Sequence, residues 1–280
     1  MDKSHTSHRP KIACCAIMKN EGPYIHEWVA HYKNLGFDEI CIYENDSSDN
    51  SRMLLEDLSS KGLINYVSWP SLDRKSPQIS AYSDFLEKTS SDWVLFCDAD
   101  EFLVLHNNDC IHDLMDNLEN EVTQVCVNWR IFGSSGHESK SDDLVLSRFQ
   151  NSSEKSFQIN RHVKSFVRPC SVTEMHIHAP ITKGACIYPD GTPLKFNDGE
   201  QGIAPEIKLD VASIHHYFTR SREEWNVKKG RGNANRASNA RDKYIRYHEG
   251  MFVKHDRNEI ENKDAVKYIV PITMLINKFK

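Results

Sequence analysis

The sequence lacks the features that place a chain in several classes at once. None of its eight cysteines, at 14, 15, 41, 97, 110, 126, 170 and 186, forms a CxxC pair. That spacing argues against a zinc site. Cys41, Cys97 and Cys126 instead sit inside apolar runs (EICIY, WVLFC, QVCVN), as reduced, buried thiols of a cytoplasmic protein do. No apolar run reaches the ~20 residues that span a bilayer. The opening MDKSHTSHRP has no apolar h-region, so no signal peptide is expected, and residues 1–10 are expected to be disordered. Positive charge is not in excess. The formal net charge is −5, which argues against wholesale nucleic-acid binding. There is no internal repeat. What remains is a 280-residue chain, 39% hydrophobic and 27% charged, the balance of a globular domain.

The charge is uneven, however. Between Arg220 and Arg246, nine Lys or Arg face three acids. Such a stretch fits either an anionic ligand or a solvated helix face. The C-terminal VKYIVPITMLINKFK is apolar with basic flanks. It suits a packed terminal helix or strand, and also allows a peripheral membrane contact.

The first hundred residues alternate strand and helix. Short apolar runs at 11–18, 38–43, 63–69 and 93–97 read as strands. Residues 21–35, 51–61 and 76–88 read as helices, the first two followed by Gly36 and Gly62 as stops. Alternation of this kind implies βαβ units and a parallel sheet, hence an α/β protein. Ligands of such sheets bind beyond the carboxyl ends of the strands. That rule selects four polar segments: 19–22, 44–50, 68–78 and 98–101. Further along, 111–118 reads as helix and 123–132, 162–167, 175–178 and 211–218 as strands. Residues 184–208 read as an irregular insert and 221–248 as a broken helical region.

In WVLFCDADEFL three carboxylates, Asp98, Asp100 and Glu101, follow a buried strand. Acids at i and i+2 in extended backbone face the same way and repel. A hard divalent cation, Mn²⁺ or Mg²⁺, relieves that repulsion and binds diphosphate oxygens as well. An isolated DxD triplet is weak evidence, being common in turns. Its place after the fourth strand of a βαβ array strengthens it.

With these residues in view, the chain resembles glycosyltransferase family 92 and related bacterial family-2-like enzymes. CAIMKNEGPYIHEWVAHYKNLGFDEICIYENDSSDNS carries the likeness, which continues through WVLFCDADEFL, NWRIFGSSGH, KSFVRP and HHYFTRSREEWNVKKGRG. The resemblance implies a GT-A fold and metal-dependent, inverting transfer, often of galactose from UDP-galactose. It places an acid after the second strand against uracil or ribose, and a distant histidine in the metal shell.

Candidate residues follow. Asn20 and Glu21 would line the nucleotide pocket, or simply start the first helix. Asn45 and Asp46 would contact the nucleoside, or form an Asx-turn and N-cap. Arg74, Lys75 and Gln78 would meet donor phosphate, or form an exposed loop. Asp98 and Asp100 would hold the metal with His215, or alternatively His216; adjacent strand residues must face opposite ways. His176 and His178 are a rival pair. Lys228, Lys229 and Arg231 would form a basic lid over the diphosphate, or a solvated helix end. An inverting enzyme needs one general base. Glu138 is the first choice, with Asp142, Glu174, Glu223 and Glu224 as alternatives. Trp129, Phe132 and Trp225 would stack on sugar or belong to the core.

The expectation is therefore a GT-A domain over 11–250, with 11–101 binding nucleotide and 102–250 binding acceptor, and a C-terminal extension over 251–280. It would transfer a hexose from a UDP-sugar to a carbohydrate or glycolipid acceptor in surface polysaccharide or lipopolysaccharide assembly. Two rivals are a carbohydrate- or metal-binding module and a sugar nucleotidyltransferase. The second would show a Gly-rich phosphate loop after the first strand, where KNEGPY has one glycine.

Overall fold

The computed structural model describes residues 9–71, 76–116, 118–231 and 248–279. Its first half alternates as expected: β1 (Ile12–Met18), α1 (Ile25–Asn34), β2 (Glu39–Glu44), α2 (Ser51–Ser60), β3 (Asn65–Ser68), α3 (Pro77–Lys88) and β4 (Trp93–Phe96). β1 is buried along its whole length, as an unbroken apolar run in a parallel sheet must be. α1 buries Trp28, His31 and Tyr32 and gives way at Gly36, whose φ of +85° suits a residue without Cβ. α3 starts at Ser76, whose side chain accepts from the Ile79 amide, with Pro77 in the first turn.

After β4 the chain turns tightly and runs back as β5 (Glu101–Leu105). Then come α4 (Ile111–Met115), β6 (Val122–Ile131), α5 (Val145–Arg148), β7 (Asn151–Ser152), β8 (Val163–Val167) and β9 (Val172–Glu174). β10 (Ile181–Thr182), β11 (Ala185–Ile187), β12 (Ala212–His216), α6 (Arg222–Arg231), α7 (Glu249–His255), β13 (Ile260–Glu261) and α8 (Ile269–Phe279) complete the order. Nine strands form one sheet, ordered β3-β2-β1-β4-β8-β6-β12-β5, with β11 on β6. β3, β2, β1 and β4 are mutually parallel, and β12 is parallel to β6. β8 is antiparallel to β4 and β6, and β5 to β12. The main apolar cluster lies between the sheet and α1, α2 and α8; a second lies under α3.

Several elements depart from the sequence expectation, among them β11, which joins the main sheet from within the expected irregular insert. β5 was not anticipated, because only a short polar stretch separates WVLFC from EFLVL. Residues 175–178 are not a strand. There the His176 ring nitrogen accepts from the backbone amides of His178 and Ala179, replacing a ladder partner. α4 is shorter than 111–118. The C-terminal segment forms α8, packed on α1, with Ile272 and Phe279 buried. Of the helical region expected over 221–248, α6 covers the first part, and 232–247 lie outside the described residues. All eight cysteines are free. Among the described residues no helix is long and apolar enough to cross a membrane.

Candidate active site

The polar segments after β1, β2, β3 and β4 are tied to one another by hydrogen bonds. The Asn20 side chain accepts from the Ser48 amide (2.7 Å), and its backbone amide donates to Ser47 Oγ (3.1 Å). The amides of Glu21 and Gly22 donate to Ser51 and Asp49 (3.0 and 3.1 Å). Asn45 donates to the Trp69 carbonyl (2.9 Å), and Asp46 accepts from the Ser71 amide (2.8 Å). Gln78 of α3 donates to Asp98 Oδ1 (2.6 Å) and to the Tyr82 hydroxyl (2.9 Å). Asn20, Asp46 and Arg220 all take φ near +50°, a strained conformation for residues with a Cβ. These three positions follow β1, β2 and β12 and mark one rim of the sheet, where such strain commonly accompanies function.

The acidic turn is built by its neighbours. The Asp98 amide donates to Glu101 Oε2 (2.8 Å), the Trp28 ring N–H donates to the Asp98 carbonyl (3.1 Å), and the Tyr217 amide donates to the Asp100 carbonyl (2.9 Å). Lys164, fully buried on β8, places its ammonium 3.0 Å from Asp98 Oδ2 and 3.3 Å from Glu101 Oε2. Burial pushes the Glu101 carboxyl up, and Lys164 opposes that push. Asp100 is buried and paired with Lys228 of α6, and lies 3.5 Å from His216 Nε2. Burial acts to raise its pKa, but Lys228 and His216 outweigh this and hold it well below the carboxylate range. Two lysines thus provide the charge compensation that carboxylates so close together require.

A second layer braces this turn. Arg220 pairs with Glu21 (3.1 Å), donates to the Ala99 carbonyl (3.4 Å) and lies over the Tyr24 ring (3.5 Å). Tyr24 donates to Glu224 (2.6 Å), which Arg148 grips with both terminal nitrogens (2.9 and 2.8 Å). Arg220 therefore links the loop after β1 to the backbone of the acidic turn.

Several expectations need correction in position. His215 does not face Asp100; His216 does. His215 sits against Phe132 (4.4 Å) on the other face, because β12 side chains alternate. Glu224 is not free to act as a base. Burial acts to raise its pKa, but hydrogen bonds from Arg148, Ser221 and Tyr24 bring it to about 2. Asn45 and Glu21 are buried and spent on protein partners, Asn45 on Trp69 and Glu21 on Arg220. Phe132 and Trp225 are core residues, 1% exposed. Trp129 is buried against His162, His178 and His216. Glu174 is exposed on β9.

Other candidates lie near or beyond the site. Glu138 and Glu223 are exposed, and the Glu223 amide donates to the Glu138 carbonyl (2.9 Å). Asp142 is exposed and lines a separate cavity with Tyr24 and Arg148. Lys229 is exposed on α6. Arg74 and Lys75, and the side chain of Arg231, lie outside the described residues. Among the described residues no three His, Cys, Asp or Glu side chains gather as a metal site.

Lys164 and Arg220 carried no assigned role in the sequence reading. The signal for Lys164 was a lone lysine in the apolar strand VKSFV, where a buried ammonium must find acids. Lys164→Met is expected to destabilise the fold by roughly 3–5 kcal/mol, because Asp98 and Glu101 lose their shared cation. Urea denaturation checks this, and an unchanged midpoint would remove Lys164 from the account.

Fold and rim together define an α/β protein with a mostly parallel sheet and an acidic turn at its carboxyl edge. The model of glycosyltransferase family 92 matches residues 9–251, and the chain belongs to that family. Family 92 proteins of Ricinus communis and Arabidopsis thaliana are 29% and 30% identical to it, over 46% and 36% of this chain. The matches span only 24% and 17% of those relatives' own lengths. Among solved structures, S. aureus TarS 1-349 is similar at 13% identity and a TM-score of 0.42, over 88% of this chain and 71% of that one. A Pyrobaculum calidifontis mannosyltransferase in complex with GDP-Man and Mn²⁺ is similar at 16% identity and a TM-score of 0.35, over 44% and 37%. These structural likenesses are too distant to carry function.

Proposed function

We propose that the chain is a metal-assisted, inverting glycosyltransferase moving a hexose, galactose or another, from a UDP-sugar to a hydroxyl of a carbohydrate or glycolipid acceptor. Surface polysaccharide or lipopolysaccharide assembly at the inner face of a membrane is the proposed setting. The observation that carries the activity is the interlocked rim: the loops after β1, β2 and β3 are tied to one another, and Gln78 of α3 and Arg220 tie that rim to the acidic turn. Residues 11–101 would bind nucleotide, and 102–250 the acceptor.

The proposed ligands of Mn²⁺ or Mg²⁺ are Asp98, whose side chain is a third exposed, Asp100 and the imidazole of His216; each is a donor type such ions take, while the three are not gathered as a metal site in this structure. Such an ion, when bound, supplies charge neutralisation on the departing diphosphate. Gln78 and Lys164 hold the Asp98 carboxylate in place for it. Lys228, paired here with Asp100, would serve as a cation for the diphosphate. Asp46, exposed and fixed through Ser71, presents an acceptor to the nucleoside. Glu138 remains the proposed base, since its loop is joined to the start of the helix that bears Lys228.

Titration calorimetry with UDP tests this directly. UDP is expected to bind at least tenfold more tightly with Mn²⁺ than without. A carbohydrate-binding module would bind sugar and ignore UDP in both conditions. Absence of UDP binding would end the transferase reading.

A further inference from the structure

A polar cavity of about 310 Å³ lies on the other face of the sheet, lined in part by His106, Arg130, Ser213, Asn262 and Asp264. Trp129 touches His216, so Arg130, the next residue on β6, points the opposite way. His106 lies just past the far end of β5, five residues beyond Glu101 and so about 17 Å along the strand. The cavity is therefore separate from the acidic rim.

Arg130 is 4% exposed, and its Nε donates to Ser152 (3.1 Å). Its two terminal nitrogens donate no hydrogen bond among the described residues. The nearby acids have other partners. Asp264 accepts from Asn262 (3.0 Å) and lies 3.8 Å from His106, Asp210 pairs with Lys155 (3.0 Å), and Glu259 pairs with Arg257. Asp264 and Glu259 attract the Arg130 guanidinium through space but form no ion pair with it. A buried guanidinium without a directly paired carboxylate is costly, and its planar fork matches an oxyanion through two parallel hydrogen bonds. Ser213, Asn262 and Asp264 add groups that bind hydroxyls. The volume is at the lower end of small-molecule sites.

We propose that this cavity is a second binding site, for a hexose bearing a phosphoryl or carboxylate group whose oxyanion docks on Arg130. The assignment does not depend on the transferase reading. Calorimetry on the full chain with glucose 6-phosphate, glucuronate and uncharged glucose tests it, and separates phosphoryl from carboxylate. At least one charged hexose is expected to bind tenfold or more tightly than glucose, and saturating UDP should leave that affinity unchanged. Arg130→Met should weaken it at least tenfold. Should that variant misfold, Asn262→Trp, which crowds the cavity from a partly exposed loop, should have the same effect. Equal binding of glucose, displacement by UDP, or undiminished binding in the folded variants would overturn the proposal.

Discussion

Asp100→Asn is expected to lower sugar transfer by about 10²- to 10³-fold, the scale of losing a group that stabilises transition-state charge. Asp100 is the carboxylate placed beside His216 and within reach of Lys228, so it joins the proposed metal ligands to the proposed diphosphate cation. Asparagine keeps the shape and removes the charge. The fold should survive, because Lys228 retains the Phe218 carbonyl (2.9 Å) and ring (4.4 Å) as partners. A loss of about 1–3 kcal/mol in stability is the accompanying expectation. Steady-state kinetics with a UDP-sugar, run across a Mn²⁺ series, would read the effect. Full turnover in a folded Asp100→Asn enzyme would defeat the metal assignment.

A loss of stability as large as that of Lys164→Met is expected from Glu224→Ala. Both partners of the Arg148–Glu224 pair are nearly inaccessible, with side chains 4% and 3% exposed. Removing the acid strands the guanidinium and should cost roughly 3–5 kcal/mol. Arg148→Met combined with Glu224→Leu should recover much of that, because no charge is then left buried. A thermal or urea double-mutant cycle measures the coupling, and additive losses would show that the pair is not the source. The pH dependence has a definite sign. The folded pKa of Glu224 is depressed from its ordinary 4.5 to about 2. Its contribution is present above about 4.5 and is lost as pH falls toward 2. Glu27 acts in the other direction. Burial raises its carboxyl to about 7, against hydrogen bonds from the Leu146 and Val145 amides. Its contribution is therefore lost as pH rises through about 7.

Much of the first half was legible because its signals are local. β1 to β4 have short apolar runs, α1 and α2 have glycine stops, and the polar loops fall where a parallel sheet needs them. β5 was hidden because the acidic turn looks like the end of a strand, whereas it is a reversal between two. The histidine strand expected at 175–178 failed for a local reason of another kind, a ring nitrogen capturing backbone donors. Lys164 and Arg220 could be seen as charged residues in unusual surroundings, but not matched to partners. Lys164 lies 66 residues from Asp98, and Lys228 lies 128 from Asp100. No periodicity spans such distances.

By itself the sequence determined the βαβ alternation, the acidic turn after the fourth strand and the family, because local patterning and motif order are written in neighbouring residues. Only the tertiary structure decided that His216 rather than His215 meets Asp100, that two lysines neutralise the acids, and that Glu224 is bound to Arg148. Those outcomes depend on the pleat parity of β12 and on which strands adjoin in the sheet, both set by packing across the whole chain.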